Sequence, residues 1–214
     1  MLVILSTCAL FGYLAGSIPF GLVLCYLFGY GDIRKIGSGN IGATNVLRTG
    51  NKFLALLTVI LDASKAGLAA YAAMRILPAL EVNILGIHGL NFQLNYIGAM
   101  VAGIAGILGH MFSVWLDFKG GKGVSSAFGF ILITSWPVAL IALAVWLTMA
   151  ILFRYSSLAA LTACIAVPVA AFFLSPFLFF LGYVLVAMLV ILRHHENISR
   201  LLSGKESKIS FKKK

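Results

Sequence analysis

The sequence predicts an all-α integral membrane protein with seven transmembrane helices, and its composition is the first reason. Of the 214 residues, 61% are hydrophobic and only 10% are charged, whereas about a quarter of the residues in an average soluble domain are charged. The mean hydropathy is +1.04. The second reason is the pattern, because long uncharged runs alternate with short loops that carry lysine and arginine.

The charge of the chain is strongly positive and unevenly placed. The formal net charge is +10, and seven of the sixteen cationic residues lie between Arg193 and Lys214. A basic tail beside anionic lipid on the cytoplasmic side explains this distribution. Nucleic-acid binding is not expected of so apolar a chain. The three cysteines lie in apolar runs and lack the spacing of metal ligands.

Three spans are evident from length and apolar character, because about 20 helical residues cross the hydrocarbon core of a bilayer. They lie near 2–28, 53–77 and 94–116. Residues 1–31 contain no charged side chain and therefore lack the positively charged start of a cleaved signal peptide. We expect the first span to be retained.

Two further uncharged runs supply four more spans, each run being divided at a proline, Pro137 or Pro176. These spans are expected near 123–135, 137–153, 157–174 and 177–192. The positive-inside rule decides whether residues 123–153 cross the membrane once or twice. Two crossings leave both Arg154 and the basic tail in the cytoplasm, whereas one crossing would place both outside. The N-terminus is then outside and the C-terminus inside, and residues 1–214 form one multi-pass domain.

The fourth span is expected to be short. The 31 residues from 123 to 153, if fully helical, cover about 46 Å, which is less than two bilayer thicknesses. A short helix that begins beside Lys122 and Gly123 would bring an anion site to the depth of the acyl chains.

A first polar stretch, Gly37 to Arg48, which we call the first loop, contains the pattern G-x-G-x-x-G. A dinucleotide fingerprint requires a preceding strand, and transmembrane helices flank this stretch instead. It offers tight turns and small polar groups that bond oxygen atoms or cap a helix, namely Ser38, Asn40, Thr44 and Asn45. A simple capped loop is the alternative. Arg48 is either a topology charge or a bidentate clamp for phosphate.

A second polar stretch, Phe118 to Gly123, which we call the glycine loop, carries Lys119 and Lys122. Glycine N–H groups, the start of a helix near Val124 and two ammonium groups predict a phosphate site. The alternative is a turn with topology charges. A Walker loop is not indicated, because Gly123 follows Lys122 where serine or threonine is required. His110 is more often a packing residue than a catalyst.

A third polar stretch, His194 to Glu206, which we call the C-terminal motif, places His194, Asn197 and Arg200 on one helical face. An amphipathic helix at the membrane surface is the alternative. Within the second span, Asp62 and Lys65 form either an ion pair that supports the first loop or a direct substrate contact.

Neither an activated nucleophile nor a metal or cofactor site is indicated by the arrangement of serine, cysteine, histidine and acidic residues. A group donor, if there is one, must therefore arrive already activated.

Together these stretches resemble the three motifs of the bacterial acyl-phosphate-dependent glycerol-3-phosphate acyltransferases. G-S-G-N-x-G-A-T-N-x-x-R is matched at Gly37 to Arg48, and the second motif at Gly109–His110 and Phe118 to Val124. H-x-x-N-I-x-R-L-x-x-G-x-E is matched from His194 to Glu206, and a shorter match lies at 154–158. The sequence departs from the family pattern at Ser113, Trp115 and Ser125–Ser126, which affects fine geometry rather than the cationic chemistry.

The resemblance implies transfer of a fatty acyl group from acyl phosphate to the 1-position of sn-glycerol 3-phosphate, which yields lysophosphatidic acid and phosphate. It implies a multi-pass protein of the bacterial cytoplasmic (inner) membrane with its active site facing the cytoplasm. No cofactor and no obligate protein partner are expected. A transporter of a phosphorylated small molecule and a lipid-binding scaffold are the alternatives.

The resemblance also implies roles for individual residues. The catalytic group is Ser38, Arg48, Lys122, His194 and Asn197. The substrate phosphates are assigned to Gly37, Gly39, Asn40, Gly42, Thr44, Asn45, Lys119, Gly120, Gly121, Gly123 and Ser157. Structural support is assigned to Asp62, Lys65, Arg200 and Glu206. The proton of the attacking hydroxyl goes either to His194 or to a substrate phosphate oxygen.

Overall fold

Helices make up most of the computed structural model, which describes residues 1–84 and 91–209. The helices within these ranges are α1 (Leu2–Ser17), α2 (Phe20–Leu27), α3 (Ala43–Val46), α4 (Lys52–Ile84), α5 (Asn91–Met111), α6 (Val124–Thr134), α7 (Trp136–Phe153), α8 (Ser156–Leu174), α9 (Phe177–Arg193) and α10 (His195–Leu202). Short 3-10 turns lie at Ile33–Lys35, Leu47–Thr49 and Val114–Leu116.

The first predicted span is interrupted, which the sequence reading did not anticipate. Ile18 is extended, with φ −62° and ψ 117°, and separates α1 from α2. Pro19 explains the break, because its ring disfavours a helical conformation at the preceding residue and it has no N–H to donate. The break turns the Ile18 carbonyl toward the bundle, where the Lys65 ammonium donates to it at 2.9 Å.

Two further breaks lie where prolines led us to divide the apolar runs. Ser135, with φ −158° and ψ 84°, is not helical and separates α6 from α7, with Pro137 in the first turn of α7. Pro176 immediately precedes α9. The hydroxyl groups of Ser175 and Ser135 are hydrogen-bonded at 3.0 Å, so the two breaks are joined. With 11 residues, α6 is about 16 Å long, roughly half the thickness of the hydrocarbon core.

Five stretches of the described residues are long and apolar enough to cross a membrane, and a sixth is added if α9 and α10, bent by 60°, count as one span. The α6 helix is too short to pass the same test. The third predicted span, 94–116, coincides with one of these stretches, Leu94–Leu116, in which α5 ends at Met111 and a 3-10 turn follows at Val114–Leu116. Residues 85–90 of the loop expected on the outside lie beyond the described residues. The count of seven crossings stays a prediction.

Small residues bring the helices close together, as expected for packing in lipid. An added Cβ at Gly16 would meet the backbone of Gly106, and one at Gly67 would lie 2.7 Å from the Gly129 carbonyl oxygen. These contacts pack α5 against α1 and α6 against α4. The packing gathers the first loop, the glycine loop and the C-terminal motif at one end of the bundle.

Candidate active site

A cavity of about 570 Å³ connects the three polar stretches with the apolar interior of α6 to α9. Its polar lining is Ser38, Asn40, Gly42, Thr44, Asn45, Arg48, Asp62, His110, Lys122, Gly123, Ser125, Ser156, Ser157, His194, Asn197, Glu206 and Ser207. All five residues assigned to catalysis are in this set. Seven other assigned residues are not in the lining: Gly37, Gly39, Lys65, Lys119, Gly120, Gly121 and Arg200.

The first loop is organised by the side chain of Asn45, which is 1% exposed. Its amide nitrogen donates to the carbonyls of Ile33 at 2.7 Å and Ile36 at 3.2 Å. Its amide oxygen accepts from the backbone N–H of Ser38 at 3.2 Å and from Arg48 at 3.0 Å. Both polar atoms of Asn45 are therefore engaged within the protein, which favours a structural role over contact with phosphate.

Gly37 is required by this arrangement for two reasons. Its φ of +54° lies in the left-handed region, and an added Cβ would meet the Arg48 side chain and the Asn45 amide oxygen. Arg48 is an exposed residue whose guanidinium also donates to the hydroxyl of Ser207. The first loop is thereby linked to residues 207–209, which follow the C-terminal motif and which we call the C-terminal segment.

The glycine loop differs from our expectation that its N–H groups are free to bind phosphate. Gly120 N–H donates to the Met111 carbonyl at 3.1 Å, and Gly121 N–H donates to the His110 carbonyl at 2.9 Å. Lys119 N–H donates to the Leu116 carbonyl at 2.9 Å. These three donors are occupied, so the anion-binding groups must lie further along the chain.

The N-terminus of α6 supplies those groups. The helix begins at Val124, directly after Gly123, whose φ is +82°. The first N–H groups of a helix have no partner within it, and the helix dipole places partial positive charge there. Because Gly123, Val124 and Ser125 line the cavity, the first turn of α6 faces the polar end of the site.

The two lysines of the glycine loop have different surroundings. Lys119 is exposed and lies outside the cavity lining. Lys122 lines the cavity and donates to the amide oxygen of Asn197. Burial lowers the pKa of Lys122 below its ordinary value, and repulsion from Arg200 lowers it further. A bound anion would relieve both effects, which makes Lys122 the cation suited to a substrate phosphate.

His194 lies between α9 and α10 and is 3% exposed. Its Nδ1 lies 2.7 Å from the Val190 carbonyl oxygen. A carbonyl can only accept, so Nδ1 carries the proton and Nε2 of the neutral ring has a free lone pair. Burial lowers the pKa of His194 to about 4. The ring is therefore neutral at pH 7 and can accept a hydrogen bond.

Glu206 joins the C-terminal motif to its neighbours. One carboxylate oxygen accepts from Ser157 at 2.8 Å and from Asn197 at 2.6 Å, and the other accepts from Arg200 at 2.7 Å. Burial opposes ionisation of Glu206, but the hydrogen bonds from Arg200, Ser157 and Asn197 outweigh it and lower the pKa. Further along, Ile209 N–H donates to the Arg154 carbonyl at 2.7 Å. The C-terminal segment is thus fastened over one side of the cavity.

The buried pair Asp62 and Lys65 supports the glycine loop rather than the first loop. Their charged groups are 2.9 Å apart, and Lys65 Nζ lies 2.7 Å from Nδ1 of His110. An added Cβ at Gly121 would meet the His110 ring. The pair therefore holds His110 directly beneath the glycine loop. Asp62 also lines the cavity.

The apolar part of the cavity is open toward the lipid on the side flanked by α4 and α7. Several lining residues there are exposed apolar side chains: Leu56, Val59, Leu143, Leu147 and Ile151. The opposite lining comes from buried positions of α8 and α9, among them Ala160, Val167 and Val186. The cavity therefore combines a cationic end with an apolar channel that faces the bilayer.

Sequence reasoning missed two contributors to this site. Arg193 was read only as a topology charge, yet it donates to the carbonyls of Gly120 at 3.2 Å and Gly121 at 3.3 Å. Ser207, which bonds Arg48, lies just beyond the last matched motif residue. Neither residue carried a local signal, because both contacts join segments that are distant in sequence.

A family model described as "Glycerol-3-phosphate acyltransferase" matches residues 6–204. The chain belongs to the glycerol-3-phosphate acyltransferase family. This confirms the resemblance drawn from the three motifs. Among the relatives of this acyltransferase family, a glycerol-3-phosphate acyltransferase of Rhodospirillum rubrum is 51% identical over 211 residues, which cover 99% of this chain and 94% of the relative. One of Mesorhizobium japonicum is 51% identical over 202 residues, or 94% of each chain.

Two solved structures have the same fold as this member of the acyltransferase family. Both are crystal structures of PlsY (YgiH), described as an integral membrane glycerol 3-phosphate acyltransferase. The glycerol 3-phosphate form has a TM-score of 0.80 at 37% identity, and covers 96% of both chains. The lysophosphatidic acid form has a TM-score of 0.78 at 37% identity and covers 95% of this chain and 94% of the other. The predicted class of fold, an all-helical integral membrane protein, is confirmed.

Proposed function

We propose that the protein transfers a fatty acyl group from acyl phosphate to the 1-position of sn-glycerol 3-phosphate, the first acylation of phospholipid synthesis. The observation that carries this proposal is the two-ended cavity. Its cationic end, with Arg48, Lys122 and the start of α6, suits the phosphate groups of both substrates. Its apolar channel, open toward the bilayer, suits an acyl chain.

The chemistry requires little beyond positioning, because acyl phosphate is a mixed anhydride with a good leaving group. The primary hydroxyl oxygen of glycerol 3-phosphate attacks the acyl carbonyl carbon, and an ester C–O bond forms as the bond between the acyl carbon and the phosphate oxygen breaks. The products are lysophosphatidic acid and inorganic phosphate. Holding both substrates together supplies the advantage of proximity, and fixed cations stabilise the charge that develops on the leaving phosphate.

Lys122 and Arg48 are the cations to which we assign these phosphates, with Ser38 and the first turn of α6 as further donors. His194 accepts a hydrogen bond from the glycerol hydroxyl through Nε2 and so orients it. A group with a pKa of about 4 is a weak proton acceptor at neutral pH, so the proton passes to a substrate phosphate oxygen. Asn197 fixes the Lys122 ammonium through its amide oxygen.

The remaining assigned residues shape the site in this proposal. The glycines of the first loop let its backbone approach the substrate, and Asn45 keeps that backbone in place. Ser157, Arg200 and Glu206 hold the C-terminal segment over the cavity.

We further infer seven crossings in one domain, with the N-terminus outside the bacterial cytoplasmic membrane and the three motifs in the cytoplasm. The helix breaks at Ser135 and Pro176 divide residues 124–193 into the four helices α6 to α9, which this count requires. Single cysteines placed at Ser203 and at Leu2, in a variant without the three native cysteines, test it. Labelling of intact cells by an impermeant reagent should modify the second position only.

The activity is tested with purified protein in detergent, given acyl phosphate and labelled glycerol 3-phosphate. We expect lysophosphatidic acid and phosphate to be released in equal amounts. Acyl coenzyme A and acyl carrier protein donors, run in parallel, identify the donor. Folded protein that yields no product with any donor contradicts the acyltransferase function, and uptake of glycerol 3-phosphate into vesicles without product would indicate a transporter.

A further inference from the structure

The peptide groups of the glycine loop are held from two sides. From below, the carbonyls of Met111 and His110 accept the N–H groups of Gly120 and Gly121. From above, the Arg193 guanidinium donates through Nη2 to the Gly120 carbonyl at 3.2 Å and through Nε to the Gly121 carbonyl at 3.3 Å. Both donors and both acceptors of this short stretch are therefore satisfied within the protein.

Arg193 is itself fixed by an aromatic ring. The carbon at the centre of its guanidinium lies 5.1 Å from the centroid of the Phe112 ring, a distance typical of a cation–π contact. The planar fork of a guanidinium can donate to two carbonyls while its face rests on the ring, whereas a lysine ammonium is a point donor on a flexible stem. The geometry at this position therefore requires arginine rather than positive charge alone.

The backbone is strained at the first residue of the glycine loop and at the residue before it. Asp117 and Phe118 have φ values of 50° and 60°, so two successive residues other than glycine adopt left-handed conformations. Each such residue costs about 1 kcal/mol or more, and persists only where the surrounding structure enforces it. Contacts that hold Gly120 and Gly121 provide that enforcement. Without them the loop would relax, and Lys122 would move with it.

We infer that Arg193 is a positioning residue, whose guanidinium, seated on Phe112, holds Gly120 and Gly121 so that Lys122 and the start of α6 face the cavity. The inference rests on the proposed function, because Lys122 acts there on a substrate phosphate. Arg193 directly precedes His194 in the chain. The turn between α9 and α10 therefore places His194 in the cavity lining, while Arg193, the residue before it, holds the glycine loop.

Arg193→Lys tests this inference, because it keeps the charge and removes the fork. We expect kcat/KM to fall about 100-fold, the size of effect produced by misplacing a catalytic group by about 1 Å. The KM for at least one of the two phosphate-bearing substrates, acyl phosphate or glycerol 3-phosphate, should rise. The thermal unfolding midpoint should shift by only a few degrees. Arg75→Lys is the matched control, because the Arg75 guanidinium lies over the Tyr71 ring at 5.3 Å on α4 and neither residue lines the cavity. Its kcat/KM should stay within about twofold of wild type.

Wild-type kinetics in Arg193→Lys would overturn the inference, as would a loss of activity that only follows the loss of folded protein. Should Arg193→Lys fail to fold, Phe112→Leu removes the ring but keeps the guanidinium. We expect it to lower kcat/KM about fivefold, the value of a modest cation–π contact, and unchanged kinetics would overturn the inference. A wild-type protein without acyltransferase activity would overturn the proposed function as well, so the two failures are distinguishable.

Discussion

The first loop and the glycine loop bring similar residues to the same cavity but are held in different ways. In the first loop, one buried side chain, Asn45, bonds four partners and defines the path of the backbone. In the glycine loop, the main chain of α5 and the Arg193 side chain bond the backbone directly.

This difference determines which changes each loop tolerates. A loop organised by one amide depends on the identity of that residue, because no neighbouring side chain can replace four hydrogen bonds at once. A loop bonded through its main chain depends on the close approach of two backbones. An added Cβ at Gly120 would meet the carbonyl of His110, so glycine is required there for space rather than for an unusual φ.

The largest effect is expected from Lys122→Ala, which removes the cation that the glycine loop presents. Loss of one fixed group that stabilises developing charge costs roughly 100- to 1,000-fold in kcat. Turnover should therefore be abolished or severely weakened, while membrane insertion and thermal stability are retained. Lys119→Ala is the matched control, because Lys119 is exposed and outside the cavity. Normal turnover of Lys122→Ala would reject its assigned role.

Asn45→Ala should disrupt the first loop. It leaves the carbonyls of Ile33 and Ile36 without the amide that bonds them, at a cost of about 2–3 kcal/mol in the free energy of unfolding. Arg48 also loses its anchor, so we expect kcat/KM to fall about 100-fold. Thermal unfolding and steady-state kinetics measure the two effects.

Asn51→Ala is the control for Asn45→Ala. Asn51 accepts from the Leu54 N–H at 3.0 Å at the start of α4 and lies outside the cavity lining. Its loss should cost about 1 kcal/mol of stability with normal activity per folded molecule. Equal losses of activity in the two variants would show that the first loop does not depend on Asn45 in particular.

Acid should weaken the fold through His194, which lines the cavity together with both loops. In the folded protein, burial holds the pKa of His194 at about 4, below the ordinary 6.5. The unfolded chain therefore takes up a proton on this residue first as the pH falls. The neutral His194 ring therefore contributes about 3 kcal/mol to the free energy of unfolding above pH 6.5, and this contribution is lost as the pH falls toward 4. Denaturant unfolding measured across this range should show the loss.

Two variants isolate the contribution of His194. His194→Gln should flatten the decline between pH 6.5 and pH 4, whereas His195→Gln, at the exposed neighbouring position, should keep it. A decline of the same size in His194→Gln and wild type would assign the acid sensitivity to other groups.

The smallest effect is expected from Ser207→Ala, which removes the hydroxyl that Arg48 bonds in the C-terminal segment. Arg48 keeps its bond to Asn45, so kcat/KM should fall about fivefold at most, the value of one hydrogen bond. Ser203→Ala, whose hydroxyl bonds only within α10, should have no effect on kinetics. A large loss in Ser207→Ala would mean that the C-terminal segment, more than Asn45, orients Arg48.

The helix breaks show what local sequence can predict. Pro137 and Pro176 fall near the middle of runs too long for one span, so their positions were readable from length alone. Pro19 lies in a run short enough to be one span, and nothing in its length indicated a break. The break matters because it presents the Ile18 carbonyl to Lys65, a contact between residues 47 positions apart.

The candidate site shows the limit of the same reasoning. Lys122, His194 and Asn197, which the sequence analysis assigned to one site, all line the same cavity, and their catalytic roles stay a prediction. The partners of backbone groups were not predictable. Glycines at 120 and 121 indicate that another segment packs closely there, but they do not indicate which carbonyls are in contact. For the same reason Arg193 was read as a topology charge, although its two acceptors lie about 70 residues earlier in the chain, a separation that sequence patterns do not record.

The sideways opening between α4 and α7 has a consequence for how this enzyme senses its supply. On the proposed function, an acyl donor reaches the cavity from within the leaflet, so the quantity that sets the rate is its mole fraction among lipids rather than its amount per volume of cytoplasm. Glycerol 3-phosphate, by contrast, arrives from water. The rate thus depends on the mole fraction of the acyl donor in the membrane and on the concentration of glycerol 3-phosphate in water. Expansion of the membrane by the product lowers the mole fraction of the donor without changing the concentration of glycerol 3-phosphate.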